Sequence, residues 1–201
     1  MRLRTLKFAA YFTDHGVVIL TSYCEYVRAH PEDEYNRLYH DSQYGFPLSQ
    51  EHLLFERFIF EINQAGLSWI TILKKAGNFR RAYEDFDIDR IASYGQRDVT
   101  RLLSDAGIIR NRLKINAAIE NAKRLQALRS EFGAFKNWLD AHSSLTLEEW
   151  TRLFKRTFVF TGGEIVREFL VSTGYLPGAH EEDCPVYKTV AVLHPVWMRK
   201  L

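Results

Sequence analysis

Apolar residues recur at intervals of three and four along almost the whole chain, which is the spacing that places them on one face of an α-helix. The clearest case is a segment whose apolar positions are Leu53, Leu54, Phe55, Phe58, Ile59 and Ile62. A break at residues 65–68 separates it from a second helical segment that starts at Trp69, and Ser68 is expected to be its N-cap. Because no segment shows sustained alternation of apolar and polar residues, the sequence predicts an all-α fold.

The same spacing predicts further helices along the rest of the chain. Two short helices are expected at residues 88–93 and 99–103, and a long helix from residue 112 to about residue 128. The segment 146–157 opens with the Thr-x-x-Glu spacing of a capping box. The segment 164–174 ends in a glycine, as many helices do.

Size and charge limit the classes of partner. The 201 residues suit one domain or two small lobes that share a core, and a hydrophobic content of 46% supplies ample material for burial. The 27 basic and 25 acidic residues leave a net charge of only +2, which excludes polyanion binding driven by net charge alone. A run of about 18 apolar residues, which a membrane-spanning helix needs, does not occur. We therefore expect a cytoplasmic protein without a membrane partner, in which any contact with a polyanion uses a local basic patch.

The first 21 residues stand apart from the rest. They resemble a secretory signal at first sight, because three basic residues precede an apolar region. Asp14 and His15 interrupt that region, and no small-residue cleavage pattern follows. We expect residues 1–21 to be a poorly packed N-terminal extension or the product of a start codon placed too far upstream, and residues 22–201 to form the functional domain.

Residues 105–115 read DAGIIRNRLKI and have the pattern of a helix-hairpin-helix spanning about residues 99–125. In that motif a glycine lets the backbone approach a phosphate, amides at the start of the second helix bind it, and basic side chains flank it. Gly107 and Ile108 occupy the turn, and the basic residues that follow are Arg110, Arg112 and Lys114. Residues 97–124 hold seven Lys or Arg and three Asp or Glu, a local excess of four positive charges. An ordinary turn with a solvated basic face explains these residues equally well.

Two cysteines and two histidines are candidate metal ligands: Cys24, His40, His180 and Cys184. Two sulfurs and two imidazoles suit tetrahedral zinc, which would join the two ends of the domain. The spacing alone is a weak signal, and inert thiols with ordinary surface histidines remain the simpler explanation.

A third group combines aromatic rings with a carboxylate. Tyr39 adjoins one candidate ligand, Tyr26 follows another by two residues, and Glu61 and Trp69 lie on either side of the break in the helical pattern. Aromatic faces with a carboxylate between them make a suitable receptor for a flat, positively charged ring. The alternative is that Trp69 belongs to the core and that Glu61 is a solvated helix end.

Five segments together resemble the DNA-3-methyladenine glycosylase I family, in the order in which that family has them: 38–45, 61–75, 105–115, 158–163 and 180–184. The resemblance covers about residues 22–187, and QAGLSWI and DAGIIRNRLKI are its most specific parts. It implies an all-α helix-hairpin-helix DNA glycosylase fold with a zinc site that joins the N- and C-terminal segments. It also implies an enzyme that flips 3-methyladenine out of alkylated duplex DNA and hydrolyses its N-glycosidic bond, which starts base excision repair.

The resemblance also assigns roles to residues. It implies one structural zinc per chain with the ligands Cys24, His40, His180 and Cys184. It implies catalytic roles for Glu61 and Tyr39, and contacts with the flipped base for Trp69 and Tyr26. The residues implied to contact DNA are Gly66, Leu67, Gly107, Ile108, Arg110, Arg112 and Lys114. The expected partner is alkylated double-stranded DNA, bound by a monomer that is associated with the nucleoid through DNA.

Two departures from the family pattern concern the substrate. Tyr26 stands where the family usually has tryptophan, and Glu164 and Arg167 replace small and aromatic residues after FVFTGG. A DNA-binding homologue without catalysis, or one with a shifted substrate, is therefore an alternative hypothesis. A metalloenzyme with catalytic zinc is a further alternative, but four protein ligands leave no open coordination position.

Overall fold

The computed structural model describes residues 10–13, 16–19 and 22–200. From residue 22 onward the described chain contains eleven α-helices and two short 3-10 helices, at Glu84–Phe86 and Val196–Lys200. The α-helices are α1 Tyr23–Ala29, α2 Glu34–Ser42, α3 Glu51–Gln64, α4 Trp69–Ala82, α5 Ile88–Ala92, α6 Gln96–Ser104, α7 Arg112–Phe132, α8 Phe135–Ala141, α9 Leu147–Thr157, α10 Gly163–Ser172 and α11 Pro185–Val192. The all-α prediction is confirmed for the body of the protein.

Two short strands precede the helices, and the apolar periodicity did not predict them. Strand β1, Ala10–Thr13, pairs antiparallel with β2, Gly16–Ile19. Strands of four residues carry too little alternation to be recognised in a sequence. They are the described part of the expected N-terminal extension. Within the described residues, no helix combines the length and the apolar character needed to cross a bilayer.

Helix α3 is the centre of the fold, because its residues 54–63 are all buried and it packs against α4, α7, α8 and α10. Phe58 illustrates this position: its ring lies 5.6, 5.2 and 5.4 Å from the rings of Phe154, Phe158 and Phe169. These separations are those of favourable aromatic pairs. Residues at the end of α3 are therefore held on the most rigid part of the protein.

The helix starts predicted from the sequence agree with the structure to different degrees. The capping box at the start of α9 is confirmed, since the Thr146 amide donates to Glu149 Oε2 at 2.8 Å and the Glu149 amide donates to Thr146 Oγ1 at 3.3 Å. Ser68 occupies the N-cap position of α4, but its hydroxyl bonds Thr71 Oγ1 at 2.7 Å instead of a backbone amide. Helix α6 begins three residues before the predicted start, because the Asp98 carboxylate accepts the amide of Gly95 at 3.1 Å.

Candidate functional site

The four candidate metal ligands converge, although they come from distant parts of the chain. Cys24 lies on α1, His40 lies on α2, and His180 and Cys184 lie in the loop that leads into α11. Their ligand atoms all lie within 4.8 Å of one another. His40 Nε2 is 3.3 Å from Cys24 Sγ, 3.2 Å from His180 Nδ1 and 3.8 Å from Cys184 Sγ. This group can hold a metal ion.

In each imidazole, a hydrogen bond from one ring nitrogen to an acceptor outside the cluster leaves the other ring nitrogen facing the cluster. His40 Nδ1 donates to Asp41 Oδ1 at 2.8 Å, and His180 Nε2 donates to the carbonyl of Tyr44 at 2.7 Å. Such outer hydrogen bonds orient metal-ligating histidines. Burial lowers the pKa of His180 to about 4, which keeps its imidazole neutral. Burial also raises the pKa of the Cys24 thiol to about 12, so a thiolate here requires a nearby cation.

Glu61 and Trp69 lie beside a cluster of tyrosines. The Tyr39 ring centroid is 5.0 Å from that of Trp69 and 5.7 Å from that of Tyr44. Glu61 is only 1% exposed, so it is not the solvated helix end of the alternative interpretation. Burial raises the pKa of Tyr44 well above its ordinary value, and among the carboxylates Glu168 and Glu61 add to that rise. Glu61 therefore belongs to the same buried environment as the aromatic cluster.

Arg57 holds Tyr39 in place, a contact that was not predicted from the sequence. The guanidinium of Arg57 donates to the Tyr39 hydroxyl at 2.9 Å and lies 4.9 Å from the centroid of its ring. Arg57 also donates to the carbonyl of Ser172 at 3.2 Å, which links α3 to α10. Its position inside an apolar run was the only signal, because a charge in such a run must be paired when it is buried.

Tyr26 lies at the edge of the cluster. Its hydroxyl donates to Asp33 Oδ2 at 2.9 Å, and its ring is 6.3 Å from that of Tyr23. Burial alone would raise the pKa of Asp33, but hydrogen bonds from Asn36 and Tyr26 outweigh it and lower that pKa. Tyr26 is thereby tied to the first turn of α2.

Glu168 is an acidic residue of the site that the sequence analysis did not single out. It is 5% exposed, accepts the hydroxyl of Tyr44 at Oε2 at 3.2 Å, and pairs with Arg167 through Oε1. Glu164, which the analysis did single out, is exposed. The position of Glu168 in the helical pattern could have identified it, because Glu168 lies on the apolar face of α10 next to Phe169. An acidic residue on such a face is rarely buried without a partner.

The break between α3 and α4 forms a protruding tip, Gly66 and Leu67. Gly66 has φ +82°, a left-handed conformation that favours glycine, and a Cβ at this position would meet no atom within 4 Å. Leu67 is 38% exposed. Gln64 makes two hydrogen bonds with the backbone of Leu67. The Leu67 amide donates to the Gln64 carbonyl at 2.7 Å, and Gln64 Nε2 donates to the Leu67 carbonyl at 2.9 Å.

The turn between α6 and α7 contains the expected glycine and basic residues. The Gly107 amide donates to Asp105 Oδ1 at 2.7 Å, and Asn111 caps α7. A Cβ on Gly107 would lie 3.0 Å from the Cβ of Asn78, so the glycine is needed for close approach to α4. Ile108 is buried beneath the turn.

The basic residues after this turn divide into two kinds. Arg110 and Arg112 are exposed, and in the described part of the chain neither pairs with a carboxylate. Lys114 is 5% exposed, and its Nζ donates to the carbonyls of Asn63 and Ala65, both at 2.7 Å. A lysine whose ammonium is occupied inside the protein does not contact a phosphate. The expectation of a direct DNA contact is therefore corrected for Lys114.

Comparison with known proteins identifies the family. Residues 29–152 match the model of the methyladenine glycosylase family. The chain is 35% identical over 168 residues to DNA-3-methyladenine glycosylase 1 of Escherichia coli strain K12, covering 74% of this chain and 89% of that protein. It is 34% identical over 166 residues to DNA-3-methyladenine glycosylase of Haemophilus influenzae, covering 73% and 89%. A solved tyrosine-to-phenylalanine variant of 3-methyladenine DNA glycosylase I in complex with 3-methyladenine matches with a TM-score of 0.72 and 28% identity, over 77% of this chain and 93% of that one.

The matched region contains part of the site described above. Residues 29–152 include Glu61, the tip and the turn between α6 and α7. Three of the four candidate metal ligands, Cys24, His180 and Cys184, lie outside it, so the family match does not depend on the complete metal-ligand group. The chain belongs to the methyladenine glycosylase family.

Proposed function

We propose that this protein flips 3-methyladenine out of alkylated duplex DNA and hydrolyses the N-glycosidic bond that holds it, the first step of base excision repair. The observation that carries the proposal is the buried Glu61, a carboxylate only 1% exposed that contributes to the raised pKa of Tyr44. The Tyr44 ring lies 5.7 Å from that of Tyr39, and the Tyr39 ring lies 5.0 Å from that of Trp69. The names of the E. coli and H. influenzae relatives and the 3-methyladenine complex support it.

The chemistry of the substrate matches this environment. Adenine methylated at N3 and still bonded to deoxyribose carries a positive charge, so it is already a good leaving group and needs no strong general acid. Its recognition requires aromatic faces for stacking and cation–π attraction and a carboxylate to accept its N–H groups. Trp69 and Tyr26 supply faces, Glu61 supplies the acceptor and stabilises the developing sugar cation, and Tyr39 positions the base. Arg57 donates to the Tyr39 hydroxyl at 2.9 Å and lies 4.9 Å from the ring centroid, which keeps the Tyr39 ring fixed, so little reorganisation accompanies binding.

DNA contacts are assigned to the tip and to the turn between α6 and α7, as a helix-hairpin-helix. Leu67 enters the space that the flipped base leaves in the stack, which offsets part of the cost of unstacking. The backbone at Gly107 and Ile108 approaches a phosphate, and Arg110 and Arg112 flank it. One chain supplies all of these elements, so the protein is proposed to act as a monomer.

Zinc is the metal that the donor set fits best. For bond lengths of about 2.3 Å to sulfur and about 2.05 Å to nitrogen, the edges of a tetrahedral site are about 3.3 Å between nitrogens and about 3.6 Å between nitrogen and sulfur. The corresponding distances here are 3.2 Å between nitrogens and 3.3 to 3.9 Å between nitrogen and sulfur. Four protein ligands complete the tetrahedron, so the ion has a structural role and joins α1 to the segment before α11.

A shifted substrate is the second candidate, and one observation favours it. Glu168 is a second buried carboxylate, in addition to Glu61, and it accepts a hydrogen bond from the Tyr44 hydroxyl. The Tyr44 ring lies 5.7 Å from that of Tyr39. Together with the hydroxyl of Tyr26, which stands in place of the usual tryptophan, Glu168 adds polar groups to the aromatic cluster. A base with additional N–H donors is the kind of substrate that such surroundings favour.

A base-release assay separates these candidates. Purified protein is incubated with alkylated duplex DNA, and the freed bases are identified by chromatography and mass spectrometry. Release of 3-methyladenine supports the proposal, release of a different base supports the shifted substrate, and DNA binding without release refutes glycosylase activity.

The matched control for that assay is Glu61→Gln, which keeps the shape of the side chain and removes its charge. Loss of one charged hydrogen bond in the transition state lowers the rate by roughly 10- to 100-fold. Release at the wild-type rate by this variant would remove Glu61 from the proposed role.

A further inference from the structure

Lys114 lies in the first turn of α7 and reaches across to the end of α3. Its Nζ donates to the carbonyls of Asn63 and Ala65, both at 2.7 Å. A helix leaves its last carbonyls without intrahelical partners and carries partial negative charge at that end. Helix α3 has no basic residue in its own last turn, so Lys114 supplies the missing cation.

The two carbonyls immediately precede the tip, Gly66 and Leu67. The contact therefore connects the start of α7, next to the proposed phosphate-binding residues Arg110 and Arg112, with the base of the tip. Burial lowers the pKa of Lys114, which is consistent with an ammonium withdrawn from solvent. A surface lysine that served only to attract DNA would have no reason to be buried in this way.

A second set of contacts joins α4, the helix that follows the tip, to the turn between α6 and α7. Lys75 Nζ donates to the carbonyl of Ala106 at 2.8 Å, and Asn78 Nδ2 donates to the carbonyl of Gly107 at 3.3 Å. The absence of a side chain at Gly107 allows this close approach, since a Cβ there would lie 3.0 Å from the Cβ of Asn78. Both helices that flank the tip are thus bonded to the segment that carries the turn.

We propose that Lys114 is a positioning residue that couples the turn between α6 and α7 to the tip, so that binding of phosphates at the turn sets the depth at which Leu67 enters the DNA stack. This inference rests on the proposed function only in requiring that the protein binds DNA at a lesion. A preorganised tip loses less conformational entropy on insertion than a tip that must be ordered at that moment. Lys114 acts through the two carbonyls and does not touch the base.

The test measures insertion directly, without the chemical step. The probe is a duplex that contains a tetrahydrofuran abasic analogue with the fluorescent base 2-aminopurine beside it, because 2-aminopurine brightens when it is unstacked. At saturating wild-type protein the fluorescence rises. We expect Lys114→Met to lower that rise by at least about half while changing the affinity for the duplex by less than about three-fold, because the phosphate contacts remain.

Further variants give the matched controls. Leu67→Ala removes the inserted side chain and lowers the rise as well, and Lys114→Met combined with Leu67→Ala lowers it no further, because coupled residues are not additive. Arg110→Ala removes one proposed phosphate contact at the turn, so it weakens binding and lowers the rise at saturation in the wild-type background but not in the Lys114→Met background. Lys114→Arg keeps a cationic donor and restores most of the signal, and melting temperatures establish that each variant is folded.

The outcomes distinguish this inference from the proposed function. A wild-type rise at saturation with Lys114→Met, or additive losses in the double variant, overturns the coupling. If the fluorescence results are as expected but no base is released from alkylated DNA, the proposed activity is wrong and the coupling stands. For an excised base, we expect Lys114→Met to slow release about ten-fold from a paired lesion and less from an unpaired one, since an unpaired base costs less to extrude.

Discussion

Replacing Arg57 by methionine tests how firmly the aromatic wall of the candidate base pocket is held. Arg57 is buried on α3, and in the described part of the chain no carboxylate lies within ion-pair distance of its guanidinium. Its charge is stabilised instead by the Tyr39 hydroxyl, the Tyr39 ring and two backbone carbonyls. Methionine retains much of the side-chain volume and removes all of the donors.

The size of the effect follows from these contacts. The hydrogen bond to the Tyr39 hydroxyl, 2.9 Å long, has a charged donor and is worth about 1.5–3 kcal/mol. The cation–π contact at 4.9 Å adds about 0.5–2 kcal/mol. The carbonyls of Ser172 and Gln43 each keep a backbone amide donor, and removal of a buried charge recovers part of its desolvation cost. We expect Arg57→Met to lower the free energy of unfolding by about 2 kcal/mol.

A double-mutant cycle with Tyr39→Phe isolates the hydrogen bond, because phenylalanine keeps the ring and loses only the hydroxyl. Urea unfolding of the wild type, both single variants and the double variant gives the coupling free energy. We expect about 1.5 kcal/mol. The same four proteins are compared in the base-release assay, where a fixed Tyr39 ring matters to the turnover rate more than to the melting temperature.

A coupling free energy near zero would refute this reasoning, because it would mean that Arg57 and Tyr39 contribute independently despite their contact. If Arg57→Met strongly lowers stability but leaves base release unchanged, Arg57 contributes to folding and not to base release.

Three further changes have expected outcomes. Removing the metal, by chelation or by Cys184→Ser, should lower the melting temperature by about 10 °C and leave about zero instead of one zinc per chain by elemental analysis. Gly107→Ala should cost about 1–3 kcal/mol in urea unfolding because of the contact with Asn78, whereas Gly66→Ala, with open space around it, should cost only the roughly 1–2 kcal/mol of a left-handed backbone. Glu168→Gln should lower release of cationic bases relative to neutral ones by about ten-fold, since it removes one buried negative charge and leaves the positive charge of Arg167 without its ion-pair partner. An unchanged ratio of released bases would exclude Glu168 from substrate selection.

The sequence predicted those parts of the fold that depend on local signals. Helical periodicity identified α3, α4 and α7, and the spacing of Thr146 and Glu149 identified the start of α9. These signals act within one or two turns, so no knowledge of the tertiary fold is needed to read them. The strands at 10–13 and 16–19 were missed because their pairing, not their composition, defines them.

The metal-ligand group could not be derived from local signals. Cys24 and His180 lie 156 residues apart in the chain and 3.8 Å apart in space, and only the complete fold brings them together. The ligands were assigned from the family resemblance, which encodes the fold indirectly. The observed convergence of all four ligand atoms confirms that the group can hold a metal ion.

Charged residues show where sequence reasoning stops. Lys114 was assigned to the DNA surface with Arg110 and Arg112, because a basic residue after a glycine turn is ordinarily solvated. Its burial depends on two carbonyls at the end of α3, 49 and 51 residues earlier in the chain. Whether a charge is a ligand-binding group or an internal donor is decided by packing between distant segments, which periodicity does not encode.

The same limit applies to the candidate base pocket, and there it bears on the substrate. Arg57 and Glu168 each place a buried charge on a tyrosine, Arg57 as a donor to Tyr39 and Glu168 as an acceptor from Tyr44. The two tyrosine rings lie 5.7 Å apart, so opposite charges determine how two neighbouring hydroxyls are hydrogen-bonded. A pocket that recognised its base by stacking alone would need neither charge. Both are costly to bury, and they give the candidate pocket oriented hydroxyl groups in addition to aromatic faces.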